Sequence, residues 1–186
     1  MMLVEITPES HGVEIDLAYA TPENFTGKPI YIRAACFLLP EAEAALRRAV
    51  AIAAGLDLRL RVYDAFRPVE AQWALWNHTP DPNYVADPRK GGPHTRGAAV
   101  DLTLLRPDGS VLDMGTGFDD LRPQSHHGVT DIPAEAQRNR LILLGIMTAA
   151  GWDFYRNEWW HYQLFDSRRF ASLTDVEAGT NMMTPA

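Results

Sequence analysis

The sequence predicts an α+β fold: one compact domain with a central antiparallel sheet and flanking helices. Three observations predict it. Short stretches of alternating apolar and polar residues lie close together and are joined by turn signals, as hairpin strands are. Two helical stretches stand far apart instead of following each strand, which argues against a parallel βαβ sheet. A length of 186 residues is enough for one core and too little for two.

Taken in order, residues 13–18 and 30–35 read as short strands around the turn-rich T-P-E-N-F-T-G-K-P. Pro40, an Ala-rich run and Gly55 frame a helix over 40–54. Leu56 to Val62 alternates apolar and polar, which gives a strand with one buried face. Val69 to Asn77 reads as a short helix after Pro68. Residues 78–93 hold four prolines and two adjacent glycines, so they form a loop. Ala98 to Leu105 is a strand, which R-P-D-G at 106–109 turns into a hairpin with Ser110–Met114. The loop that follows, to Ile132, is long enough to suggest function. Pro133 to Ala150, closed by Gly151, is the second main helix, and Trp159 to Phe165 the last strand.

Composition excludes several function classes. An apolar content of 46% with 22% charged residues is ordinary for a globular protein. A formal charge of -7 argues against a nucleic-acid partner, which needs a basic face. Cys36 is the only cysteine, so an intramolecular disulfide and Cys-based zinc sites are excluded, and any metal must sit on His and carboxylate. No run approaches the ~18 apolar residues of a membrane span. The opening M-M-L-V-E-I-T-P-E-S has no apolar run of signal-peptide length, so a cytoplasmic location is expected. Homo-oligomerisation stays open.

The chemistry concentrates in two segments. P-H-T-R-G-A-A-V-D-L-T-L offers His94 and Asp101, and N-E-W-W-H offers Glu158 and His161. Two neutral imidazoles, a carboxylate and a second carboxylate beside them match a catalytic zinc site: three ligands, a fourth position for water, and a base. Along A-A-V-D-L-T-L, a period of two puts Val100, Leu102 and Leu104 on one face and Asp101 with Thr103 on the other. Gly97 allows a sharp entry from the loop that carries His94. Taken alone, a His-x6-Asp spacing is more often a surface histidine near a strand aspartate. Glu158 and His161, three apart, would face opposite sides of a regular strand. Glu158 is therefore expected in the turn before the strand and His161 inside it. The bland account makes His161 a satisfied core histidine. Trp159 and Trp160 can wall a site, and core anchorage is the expectation for at least one.

Arg67, in D-A-F-R-P, is fixed between a strand end and a proline. It is placed either to meet charge developing on a carbonyl oxygen or to form a structural ion pair with Asp64 or a neighbouring acid. In M-G-T-G-F-D-D, Asp119 or Asp120 could receive an ammonium group, although turn-forming Asp after Gly is commoner. The adjacent His126 and His127 read as local loop structure or as support for the site. His11 and His78 have no partner at useful spacing.

Y-A-T-P-E-N-F-T-G-K-P, Y-D-A-F-R-P, H-T-R-G-A-A-V-D-L-T-L, M-G-T-G-F-D, A-Q-R-N-R and E-W-W-H-Y follow one another in order. Through them the chain resembles the D-alanyl-D-alanine dipeptidase family, which includes the vancomycin-resistance dipeptidases. The resemblance runs along nearly the whole length; roughly the last fifteen residues fall outside it and are expected as a loose tail. It implies a single zinc dipeptidase domain over 1–186, with the α+β fold of related zinc D-Ala-D-Ala peptidases. One Zn²⁺ per chain would be held by His94, Asp101 and His161. Glu158 matches the family's catalytic base, Arg67 the arginine that stabilises the transition state, and Asp119 and Tyr19 the grip on the free amino end. The implied reaction is hydrolysis of D-alanyl-D-alanine to two D-alanine by Glu-assisted attack of a zinc-bound water. One departure is Gly92, where the family commonly has Ser two residues before the first zinc histidine. Two other readings compete: a zinc D,D- or L,D-carboxypeptidase or endopeptidase acting on larger cell-wall peptides, and a non-catalytic zinc-binding protein of the same fold. Glu158 and Arg67 speak against the last, since a binder needs neither.

Overall fold

The computed structural model describes residues 2–183. From the N-terminus the chain forms β1 (Val4–Ile6), a one-turn helix α1 (Pro8–His11), β2 (Glu14–Ile15) and β3 (Cys36–Leu38). There follow α2 (Pro40–Ala54), β4 (Arg59–Asp64), α3 (Val69–His78), β5 (Ala99–Leu105) and α4 (Ala134–Ala149). The chain continues with β6 (Asp153–Phe154), β7 (His161–Gln163) and a short α5 (Asp175–Ala178). The α+β class is as expected.

β1 and β3 pair as a small antiparallel sheet. The main sheet has the order β2-β4-β5-β7-β6 and is antiparallel apart from one edge, where β2 lies parallel to β4. A parallel pair needs a long crossover, and α2 lies within the chain that connects these two strands. β5 is the middle strand, and all seven of its residues are buried. The alternation read from its sequence separates two buried faces, one against the core and one against the site described below.

The buried stripe of α2 is Ala42, Ala45, Leu46, Ala49 and Ala53, spaced as one helical face. Its small side chains let α2 approach β4 and α4 closely. α4 buries Ala136, Leu143, Ile146 and Met147, but also the polar Asn139 and Arg140.

Several expected boundaries move, because backbone partners come from elsewhere in the chain. Residues 30–35 form no strand: the Ile30 and Tyr31 N–H groups donate to Tyr19 O, and those of Ile32 and Arg33 to Met182 O. The strand expected over 13–18 shrinks to Glu14–Ile15. The hairpin after Leu105 turns as predicted, but its ladder is limited to an isolated Leu105–Val111 bridge. The last strand spans only His161–Gln163.

The C-terminal segment is tied down where a loose tail was expected. Thr174 and Glu177 form a reciprocal cap on α5. The buried Asp175 carboxylate accepts from the Thr180 hydroxyl at 2.6 Å and from the Met182 N–H at 2.8 Å. Residues 184–186 lie outside the described part. Among the described residues, no helix is long and apolar enough to cross a membrane.

Candidate metal centre and active site

The register of the main sheet assembles the site. Asp64, at the end of β4, pairs with Asp101 on β5, and Asp101 pairs with His161 on β7. The register slips between Val62 and Asp64, a bulge beside the site that re-aims the end of β4. His94 opens a 3₁₀ turn that Gly97 closes in the left-handed region at φ 66°. A Cβ at Gly97 would sit 3.2 Å from Leu39 N and 2.9 Å from a Leu3 methyl, so both the turn and the close approach require glycine. Glu158 lies in the turn before β7 and His161 is its first residue.

His94 Nε2 is 3.3 Å from Asp101 Oδ1, and His161 Nδ1 is 3.0 Å from the same oxygen. All three residues are buried, and one ligand atom from each lies within 4.8 Å of the others. The outward nitrogens both have an oxygen within reach. His94 Nδ1 faces Ala65 O at 2.7 Å, and His161 Nε2 faces Gln163 Oε1 at 3.2 Å. With each outward nitrogen donating to its acceptor, the inner nitrogens are left as lone pairs. Two lone pairs and a carboxylate turned toward one buried point repel one another unless a cation sits among them. The residues present therefore fit a metal ion. Burial pushes the Asp101 carboxyl up, but His94 and His161 in their protonated forms outweigh it and draw the acid below the ordinary carboxylate range, a role that a metal cation at the same point would take over.

Glu158 Oε2 is 3.9 Å from His161 Nδ1. Burial raises its pKa to about 8, against the pull of His161 and with the help of Asp101 and Asp119. Asp119 sits in the left-handed region at φ 58° and accepts the Tyr19 hydroxyl at 2.9 Å. Burial and the charge of Asp101 raise it to about 7, although Tyr19 and Arg67 pull it down. Burial also lifts the Tyr19 hydroxyl well above its usual value.

Arg67 combines the two roles that its sequence position allowed. Its Nε and Nη2 donate to Asp64 Oδ2 at 2.9 and 2.8 Å, and Nη1 donates to Gln72 Oε1 at 3.0 Å. A guanidinium has five N–H groups, so one on each Nη is left for the cavity. The cation also stands 4.9 Å from the centre of the Tyr19 ring. Of two further residues here, sequence reasoning named one as a partner of Arg67 and missed the other. Asp64 is fully buried, pairs with Arg67 and accepts the Tyr31 hydroxyl at 2.7 Å. Gln72 holds Arg67 and donates to Ala86 O at 2.8 Å. Y-D-A-F-R-P contained Asp64, but nothing in spacing marked Gln72.

Tyr19, Arg67, His94, Asp101, Asp119, Glu158 and His161 all line one cavity of about 260 Å³. Phe25, Tyr84, Val85 and Trp160 form much of its apolar wall. Gly92 also borders it, and a Cβ there would lie 3.1 Å from the Ala86 Cβ, so a serine would press on that wall.

Other candidates stay apart. Asp120 is held by Arg122. The His127 ring stacks edge-on to Phe154 with centroids 5.0 Å apart, and burial with the Arg140 charge lowers its pKa to about 4. His11 finds Glu43 at 3.1 Å and Arg47 at 3.0 Å, partners that only the tertiary fold supplies. Both Trp159 and Trp160 are buried; Trp160 faces the cavity, while the Trp159 indole turns to Thr116.

A family model described as D-ala-D-ala dipeptidase matches residues 2–177. The D-alanyl-D-alanine dipeptidase of Escherichia coli is 44% identical over 173 residues, covering 93% of this chain and 90% of its own. That of Streptomyces coelicolor is 38% identical, covering 82% of this chain and 86% of its own. That of Enterococcus faecalis is 36% identical, covering 84% and 88%.

Proposed function

The chain belongs to the D-ala-D-ala dipeptidase family, and from that premise we propose that it hydrolyses D-alanyl-D-alanine to two D-alanine, with one Zn²⁺ held by His94, Asp101 and His161. The observation that supports this reading is the convergence of one ligand atom each from buried His94, Asp101 and His161 within 4.8 Å, with Glu158 next to them. Zinc held by His94, Asp101 and His161 would supply Lewis acidity to the reacting water and carbonyl.

The side chains do the rest. Glu158 takes the proton of the attacking water and returns it to the leaving amine. A cation at the three ligands stabilises its ionised form, which burial alone disfavours. Arg67 turns its two remaining N–H groups to the charge that develops on the carbonyl oxygen, while Asp64 and Gln72 keep the guanidinium in place. Asp119 receives the substrate's ammonium, and that ammonium in turn favours the aspartate's charged form. Rejection of peptides without a free amine follows, since their binding would leave the buried Asp119 carboxylate with the Tyr19 hydroxyl but no cation.

Zinc content and hydrolysis rates for D-Ala-D-Ala, L-Ala-L-Ala and N-acylated D-Ala-D-Ala test this. The expected result is one zinc per chain and cleavage of the free D,D-dipeptide well ahead of the other two. Comparable cleavage of the acylated peptide would transfer the assignment to a carboxypeptidase or endopeptidase. A zinc-loaded protein that cleaves none of them would be a binder.

A further inference from the structure

Three of the ordered motifs contain a residue for which the proposed chemistry has no use: Thr116 in M-G-T-G-F-D, Arg140 in A-Q-R-N-R and Trp159 in E-W-W-H-Y. The three meet at one atom. Thr116 Oγ1 accepts the Trp159 indole N–H at 2.9 Å and an Arg140 Nη2–H at 3.2 Å. Indole and guanidinium can only donate, so both lone pairs of the hydroxyl are taken and its own proton must go elsewhere. Ser125 Oγ, 2.9 Å away, receives it. The Ser125 hydroxyl then donates to the backbone carbonyl of Asp120. The direction of every bond is thus fixed by the donors at one end and the carbonyl at the other.

Arg140 anchors this chain. It is 4% exposed, and among the described residues it makes no ion pair with a carboxylate. Its other donors reach the carbonyls of Met114 at 2.7 Å, Gln124 at 2.8 Å and His126 at 3.2 Å. Trp159 is tied a second time, by its backbone N–H to Ser125 O at 3.0 Å.

Trp159 follows Glu158 directly, and Asp120 follows Asp119. The bonds Trp159–Thr116–Ser125–Asp120 therefore link the backbone beside the base to the backbone beside the ammonium acceptor, and neither of these two residues lies in a helix or strand. We propose that Thr116 is a positioning residue: its hydroxyl, oriented by Arg140, sets the separation of Glu158 from Asp119 and so admits substrates in which the ammonium and the scissile carbonyl are one carbon apart. This inference rests on the dipeptidase reading given above.

Thr116→Val keeps the shape and removes the hydroxyl, while Thr116→Ser keeps the hydroxyl. The two are compared with the wild type on D-Ala-D-Ala and on β-alanyl-D-alanine, whose ammonium lies one methylene further from the carbonyl. Misplacing a reacting group by about an ångström costs ~10²-fold, so Thr116→Val should lower kcat/KM for D-Ala-D-Ala by that order. The longer peptide should lose far less, which shrinks the preference at least ~10-fold, and Thr116→Ser should restore it. General destabilisation would lower both rates alike. Hydrogen exchange of the Trp159 indole, followed by NMR, reads the clamp without turnover: it should quicken in Thr116→Val and return to normal in Thr116→Ser. An unchanged preference and unchanged exchange in Thr116→Val would overturn the proposal, as would Thr116→Ser behaving like Thr116→Val. Should Thr116→Val not fold, Ser125→Ala cuts the next link and must shift the preference the same way. A wild type that cleaves neither peptide defeats the dipeptidase reading, and the indole exchange still decides the clamp.

Discussion

Nε2 of His94 lies 3.0 Å from Nδ1 of His161, although 67 positions separate the two residues in the chain. The outward nitrogen of each ring has its own acceptor, Ala65 O for one and Gln163 Oε1 for the other. The pair is thereby set up to share a cation.

The His161 tautomer depends on Gln163, which sits at the far end of β7 and touches no metal. Gln163→Leu should weaken metal binding ~10–100-fold, while His161→Ala should abolish stoichiometric binding. Competition with a chromogenic chelator measures both. Equal affinity in Gln163→Leu would mean that another group sets the tautomer.

Glu158→Gln preserves the shape of the turn before β7 and removes the base. Metal content should stay at the wild-type level, and turnover should fall by ~10²–10⁴-fold. Loss of metal together with activity would make Glu158 a structural residue.

Arg67 and Asp64 separate chemistry from stability. Arg67→Ala should lower kcat by ~10²–10³ with a smaller change in KM, because the charge it meets exists mainly in the transition state. Asp64→Ala leaves a buried guanidinium without its carboxylate and should cost about 3–5 kcal/mol in denaturant unfolding. If KM rises steeply in Arg67→Ala while kcat holds, the arginine binds the substrate's carboxylate instead.

The metal-free protein should become less stable as pH rises from 5 to 8. Asp119 and Glu158 titrate near 7 and 8 when folded, against ~4 in an unfolded chain. His127, lowered to about 4, opposes them up to ~6.5, but it is one group against two, so the folded state still binds more protons than the unfolded state and stability falls with increasing pH. Asp101, held below the ordinary range, titrates beneath this window and contributes no slope within it. Thermal unfolding of chelated protein at several pH values checks the sign. Asp119→Asn should flatten the dependence, and an unchanged slope would assign it to other groups.

Some of this was legible from the sequence and some was not. α2 and α4 fall close to their expected bounds, because Pro40, Gly55, Pro133 and Gly151 punctuate them locally. β5 announced itself by alternation, which also placed Asp101 opposite Val100 and Leu102. The roles of Tyr31 and Gln72 were hidden, since the partners that give them meaning lie across the fold. Residues 30–33 looked like a strand, yet their amides are claimed by Tyr19 and Met182, which no local pattern could reveal. The same holds for Arg140: its motif was visible, but the carbonyls that it gathers belong to a loop whose path the sequence does not dictate.

Asp101 and His161 are cross-strand neighbours on β5 and β7, and that adjacency has a consequence in time. β5 pairs with β4 across 37 to 46 positions, whereas its pairing with β7 closes a longer loop of about sixty residues, the kind of contact that forms more slowly. A polypeptide that ends between residues 101 and 161 holds His94 and Asp101 but not the third proposed ligand. On the reading proposed above, the three-ligand set is complete only once β7 has paired with β5, so metal capture and completion of the sheet are expected together.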